Sequence, residues 1–152
     1  MKKLTILVGN IGSGKSTKAR ELVKQGYRVV SRDAVRYMMG AGSYVFDTTL
    51  EPTIKRSIHA LLEEFLKDDV DIVYDEVNVS KEMREPIIRL AKKYNYEITA
   101  IVIPSNDREL CINRRLNDPH GEFDRGDWEY VWETFNDMYE RPTLDEGINI
   151  IK

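Results

Sequence analysis

The sequence holds a single cysteine, Cys111, which excludes an intrachain disulfide and a cysteine-built zinc site and fits a reducing cytosol. Histidine is almost as scarce. His59 and His120 have no partner at metal-ligand spacing, so neither is given a catalytic or metal-binding role. No apolar run approaches the ~20 residues of a membrane helix. The stretch Leu4–Val8 after Met1-Lys2-Lys3 is too short for a secretory signal and runs straight into Gly9, Asn10 and Gly12. A dominant charge is missing too: 23 Lys and Arg against 26 Asp and Glu leave −3, which argues against coating duplex nucleic acid but leaves room for a local basic cleft. With 41% apolar and 32% charged residues and no repeat, low-complexity stretch or linker, the 152 residues are expected to form one cytoplasmic, membrane-free domain.

Strand-length apolar runs alternate with helical periods. Strands are expected at Leu4–Val8, Tyr27–Val30, Val70–Tyr74, Glu97–Ile103 and Ile148–Ile151. Between them, Ser16–Gln25 is helical with Ala19, Leu22 and Val23 on one face. Pro52–Lys67 carries an apolar stripe that includes Leu61 and Phe65. Ser80 can cap a helix that Pro86 should break or kink before Ile87–Tyr94. Asp107–Leu116 is helical, Asn117–Gly126 is a polar loop with Pro119 and Gly121, and Trp128, Val131, Trp132, Phe135, Met138 and Tyr139 stripe a last helix. Such alternation predicts an α/β fold, a five-stranded parallel sheet with helices on both faces.

Gly9-Asn10-Ile11-Gly12-Ser13-Gly14-Lys15-Ser16 satisfies G-x-x-x-x-G-K-[ST], and it follows a strand and opens a helix as that motif requires. Its backbone N–H groups, continuing to Thr17, are expected to wrap the phosphates of ATP at a helix N-terminus. Lys15 would reach the β- and γ-phosphates and the Ser16 hydroxyl would ligate Mg²⁺.

Asp75 ends an apolar strand, where a carboxylate commonly completes the metal site. Asp69-Val70-Asp71 resembles an aspartyl-phosphate signature but lies at the strand's entry rather than its exit, and is set aside. After the second strand, Asp33 should stand near the γ-phosphate, able to accept a proton from an incoming hydroxyl. Arg36, one helical turn on, could clamp an acceptor phosphate with two parallel hydrogen bonds, while Arg32 would point elsewhere. The competing reading makes Asp33 a helix cap and Arg36 solvated surface.

The loop Gly9–Thr17, Arg32-Asp33-x-x-Arg36, Asp75, an arginine-bearing lid at about 114–126 and the ending Tyr139–Gly147 together resemble the kinase domain of the 5′-polynucleotide kinase family. The resemblance implies a P-loop kinase fold with a small lid and ATP- and Mg²⁺-dependent phosphorylation of a 5′-hydroxyl on DNA or RNA. It implies Asp33 as general base, Arg36 on the acceptor's phosphate, Lys15 and a lid arginine on the transferring group, Ser16 on magnesium, and Asp75 on the acceptor or the metal shell. Because members of that family carry a phosphatase or ligase domain, separate partners would supply those steps here. Two departures stand out. The family's carboxylate is usually followed by Thr-Asn, whereas Glu76-Val77-Asn78 matches only with a one-residue insertion. Its lid reads R-N-x-x-R, whereas Asn113-Arg114-Arg115-Leu116-Asn117 lacks the second arginine. Adjacent helical residues point about 100° apart, so one of the pair should face the site; Arg114 is favoured for catalysis, with Arg115 on the nucleotide and Arg125 a possible helper.

Tyr37, Tyr44 and Phe46 flank Gly40 and Gly42 near the expected acceptor cleft and would either stack on a base or simply pack. Lys55 and Arg56 are read as a solvated face with a possible nucleic-acid contact, and Cys111 as core. A small-molecule kinase, acting on a nucleoside, nucleotide or modified-base hydroxyl, and a non-catalytic nucleotide-binding module remain the alternatives. The kinase readings require Asp33 to face the anion seat; an Asp33 turned away, or held in a surface ion pair, would leave nucleotide binding alone.

Overall fold

The computed structural model describes residues 2–105, 107–117 and 121–152. Strand β1 (Lys3–Val8) leads through a tight loop into helix α1 (Lys15–Lys24), followed by β2 (Arg28–Val30), α2 (Arg32–Met39) and α3 (Glu51–Lys67). Then come β3 (Ile72–Tyr74), α4 (Lys81–Lys93), β4 (Glu97–Val102), α5 (Arg108–Asn117), α6 (Arg125–Met138) and β5 (Ile150–Ile151). The five strands pair in parallel in the order β2-β3-β1-β4-β5. Among the described residues no helix is long and apolar enough to cross a membrane.

Strand pleating divides the core. Leu4, Ile6, Val8, Ile72 and Tyr74 point to the face covered by Ile58, Leu62 and Leu66 of α3 and Ile87, Ile88 and Ala91 of α4. Leu7 and Val73 point the other way, onto Ala19 and Leu22 of α1. The α5–α6 pair has its own cluster, Cys111, Ile112, Trp128 and Trp132, closed by Ile11 from the loop after β1. All strands being parallel, their C-terminal ends open on one edge, where ligands of such sheets bind.

Several expectations need correction. Helix α4 runs unbroken through Pro86: the proline forfeits one backbone bond, and burial of Ile87, Ile88 and Ala91 outweighs that loss. Val23 and Leu61 face solvent, as do Met138 and Tyr139 at the end of the last stripe. The expected lid, 114–126, is partly helix, since Arg114 to Asn117 finish α5 and Arg125 opens α6 behind an Asp124–Asp127 capping box. Pro119 and His120 lie outside the described residues. The helical turn expected from Asp33 to Arg36 belongs to a helix over 32–39 whose cap is Ser31 rather than Asp33, the Ser31 hydroxyl accepting from the Ala34 N–H.

Behind the sheet edge, a buried cation ties the chain's end to the centre. Arg84 is fully buried; its Nε donates to Glu146 Oε1 at 2.8 Å, Nη1 to the Asn78 carbonyl at 2.8 Å and Nη2 to the Glu140 carbonyl at 2.9 Å. The shared ending Glu140–Gly147 therefore has a structural use: it supplies the counter-charge for a cation inside α4.

Candidate active site

The loop between β1 and α1 is shaped by contacts that only glycine permits. Gly12 has φ +68°, and a Cβ there would lie 2.1 Å from the Cys111 carbonyl oxygen of α5. The amides of Gly9 and Asn10 are committed elsewhere, to the Val77 carbonyl (3.0 Å) and the Ser105 hydroxyl (3.1 Å). Asn10 is a strut, with Nδ2 donating to the Trp132 carbonyl at 2.8 Å and Oδ1 accepting from the Ile11 N–H at 2.7 Å. Gly9 and Asn10, expected on the phosphates, thus brace the loop instead, and the face toward the cleft begins at Ile11. The Ser13 hydroxyl is buried and has no hydrogen-bond partner among the described residues, a donor left over inside the cradle.

A cleft of about 540 Å³ opens from this loop. Lys15, Ser16 and Thr17 line it together with Asp33, Arg36, Asp75, Glu76, Arg114 and Arg115. Lys15 is buried and its Nζ donates to the Asn10 carbonyl at 2.8 Å. Burial lowers its pKa to about 8, against the opposing pull of Asp75. Ser16 Oγ donates to Asp75 Oδ2 at 3.3 Å, and burial raises the Asp75 pKa, with Lys15 opposing. Glu76, which sequence reasoning named only as a departure, also lines the cleft; burial raises its pKa, opposed by Arg32. Arg32, expected to point away, lines the cleft as well, because its Nε and backbone N–H both donate to Glu76.

Asp33 faces the cleft and is held there. Arg36 Nη1 donates to its Oδ1 at 2.6 Å, Tyr44 Oη donates to the same oxygen at 3.3 Å, and Arg115 Nη2 lies 3.6 Å from Oδ2. Burial and the charge of Asp33 push the Tyr44 hydroxyl up to about 12. The ion pairs that hold Asp33 are therefore made by cleft-lining cations, not by surface residues. Arg36 departs from expectation: its Nε donates to Glu51 Oε2 at 3.1 Å and its Nη2 to Glu51 Oε1, so the start of α3 takes the edge expected for an acceptor phosphate. Burial works against the Arg36 charge, and its bonds to Glu51 and Asp33 outweigh it and raise the pKa.

The two lid arginines both reach the cleft, by different routes. Arg114 Nη1 donates to the Gly12 carbonyl at 3.0 Å on the rim. Arg115 lies deeper, its guanidinium 5.2 Å from the Trp128 ring centroid and beside Asp33. Arg125 is elsewhere, donating to Glu109 and Asn113 across the α5–α6 junction. Asp71, of the discarded acidic pair, accepts from the Lys3 N–H at the opposite end of β3. Lys55, Arg56 and His59 are exposed on α3 away from the cleft, and Cys111 is buried. Asn78, at φ +49°, donates from Nδ2 to the Leu7 carbonyl at 2.8 Å and fastens β1 to the turn after β3.

Among the described residues no cluster of three or more His, Cys, Asp or Glu could hold a metal alone. The Ser16–Asp75 pair is the oxygen set that a magnesium shared with phosphates uses, so the residues present fit that ion.

A protein-family model described as an AAA domain matches residues 4–139. A bifunctional polynucleotide phosphatase/kinase of Schizosaccharomyces pombe is 26% identical over 151 residues, which span 99% of this chain and 33% of that relative. The chain is thus about one third as long as that relative. Among solved structures, a chain in the Pnkp1/Rnl/Hen1 complex is 25% identical with TM-score 0.60, over 81% of this chain and 40% of that one. A putative kinase from Chloroflexus aurantiacus, 18% identical, shares the fold with TM-score 0.73 over 99% of this chain and 86% of its own. On the match over residues 4–139 and the sheet order that carries it, the chain belongs to the AAA domain family, as a P-loop kinase domain homologous to the kinase domains of polynucleotide kinases.

Proposed function

We propose that this chain transfers the γ-phosphoryl group of ATP to the 5′-hydroxyl of a DNA or RNA strand. The observation that carries the reading is Asp33 in the same cleft as Lys15, with Arg115 Nη2 3.6 Å from its carboxylate. Asp33 accepts the proton of the acceptor hydroxyl as its oxygen attacks the γ-phosphorus; the bond to the bridging oxygen breaks and ADP leaves. Lys15, Arg115 and the loop amides at the start of α1 stabilise charge on the transferring group. Ser16 and Asp75 would hold magnesium, whose charge offsets that of the phosphates. Arg36 orients Asp33 through the 2.6 Å bond. Proteins supplying other steps of nucleic-acid end repair are the partners this reading calls for, the similar solved chain having been found in a Pnkp1/Rnl/Hen1 complex.

A second reading, a small uncharged acceptor, draws support from Glu51 in the Arg36 fork. The test is incubation with γ-labelled ATP and a 5′-hydroxyl oligonucleotide, its 5′-phosphorylated form, or a panel of nucleosides and polyols. Label on the first alone is expected; label only on small molecules overturns the reading. The Asp33→Asn variant should lose about 10²–10⁴-fold in turnover while still binding ATP, and full activity would remove Asp33 as the base. ATP binding with no acceptor labelled would leave a nucleotide-binding module.

A further inference from the structure

The polar residues of the cleft are accounted for by phosphates and proton transfer, but aromatic rings line it as well. Phe46, in the connection between α2 and α3, and Phe123, just before α6, meet at 5.3 Å between ring centroids with their planes 72° apart. Phe46 remains 43% exposed. Both line the same cleft as Asp33. The rings are held from behind: Arg36 lies 5.4 Å from the Phe46 centroid, and Phe123 leans on Trp128 at 4.8 Å. Arg36 is also the residue bonded to Asp33, so a single guanidinium separates the expected base from the aromatic corner. The expected base and the aromatic corner are thus neighbours of one side chain within the same cleft.

We propose that Phe46 and Phe123 form the seat of the acceptor's terminal nucleobase, which stacks on one ring and meets the edge of the other. The seat rests on the polynucleotide reading above and deepens it. It selects acceptors that present an aromatic heterocycle beside the hydroxyl, with little regard for which base, because every base has a face to stack. A polyol or sugar acid would find apolar rings at that point. The position also separates the acceptor from the donor, since Phe46 belongs to the β2 side of the phosphate loop, where Asp33 stands.

The experiment compares two 5′-hydroxyl oligonucleotides identical except that the terminal residue is abasic in one. The wild-type chain should phosphorylate the intact end about tenfold or more better in kcat/KM, as a base–aromatic stack provides. Phe46→Ala should level the two substrates without changing the KM for ATP, and Phe46→Trp should restore the preference. Equal use of both substrates by the wild-type chain overturns the seat while leaving the polynucleotide reading intact. A Phe46→Ala defect confined to the KM for ATP would give the corner to the donor's adenine and overturn it as well. Labelling of neither oligonucleotide would sink the polynucleotide reading, and the seat with it.

Discussion

Arg36 and Glu51 meet fork to fork, the Nε and Nη2 of one on the two carboxylate oxygens of the other, although fifteen residues separate them in the chain. This pairing fixes α2 against the first turn of α3 and decides what Arg36 can offer an acceptor. If an acceptor phosphate competes for that edge, Glu51→Gln should lower the KM for oligonucleotides several-fold and leave single nucleosides unaffected. If Glu51 instead only aims Arg36, the same change should lower kcat for every acceptor. Parallel kinetics on an oligonucleotide and a nucleoside separate the two.

Arg115, not Arg114, should be the arginine of phosphoryl transfer. Its guanidinium sits beside Asp33 over Trp128, whereas Arg114 is engaged by the Gly12 carbonyl at the rim. Arg115→Ala should cost on the order of 10³-fold in kcat, and Arg114→Ala should act mainly on nucleotide affinity. Single-turnover rates at saturating ATP check this; the reverse ranking would restore Arg114.

Lys15 gives a pH signature. Burial lowers its pKa to about 8 from 10.5, so between those values the unfolded chain holds a proton that the folded chain has released. Stability from this group therefore rises with pH across that window. A bound triphosphate favours the charged form, so ATP binding near pH 8 should take up protons, and affinity should weaken by up to about tenfold per unit above it. Calorimetry in two buffers of different ionisation enthalpy measures the uptake; none at pH 8 would contradict the burial argument.

Buried Arg84 should contribute strongly to stability. Arg84→Ala leaves Glu146 without its counter-charge and the Asn78 and Glu140 carbonyls without their donor. A loss of about 3–5 kcal/mol is expected, as for other broken buried pairs. Arg84→Lys should recover little of it, because an ammonium cannot reproduce the forked geometry. Urea unfolding midpoints decide the matter.

The sheet and the phosphate loop were legible because both are local: apolar runs of strand length, and glycines at fixed offsets before a lysine. Asp33 and Asp75 were found from the same logic, each following a strand. What escaped was long-range. Glu51 and Phe123 carry no local mark of the cleft they line. Arg84 did leave a signal, since 84, 87, 88 and 91 form one helical stripe whose other members are apolar. A charge on the buried face of an amphipathic helix demands a partner, and Glu146 lies too far along the chain for any window to reveal it. Helix α2 was legible only as the turn from Asp33 to Arg36, because its short sequence has no apolar stripe of core width and only Ser31 marks its start.

The close approach at Gly12 has a mechanical corollary. With the Cys111 carbonyl against its α-carbon and Arg114 grasping its own carbonyl, that residue joins the anion cradle to the lid helix by two independent fastenings. A shift of the loop at Gly12 would break that bond or press on the Cys111 carbonyl, so loop and helix are fitted to one another at this point. Gly12→Ala would drive its new methyl into the Cys111 carbonyl and force loop and α5 apart.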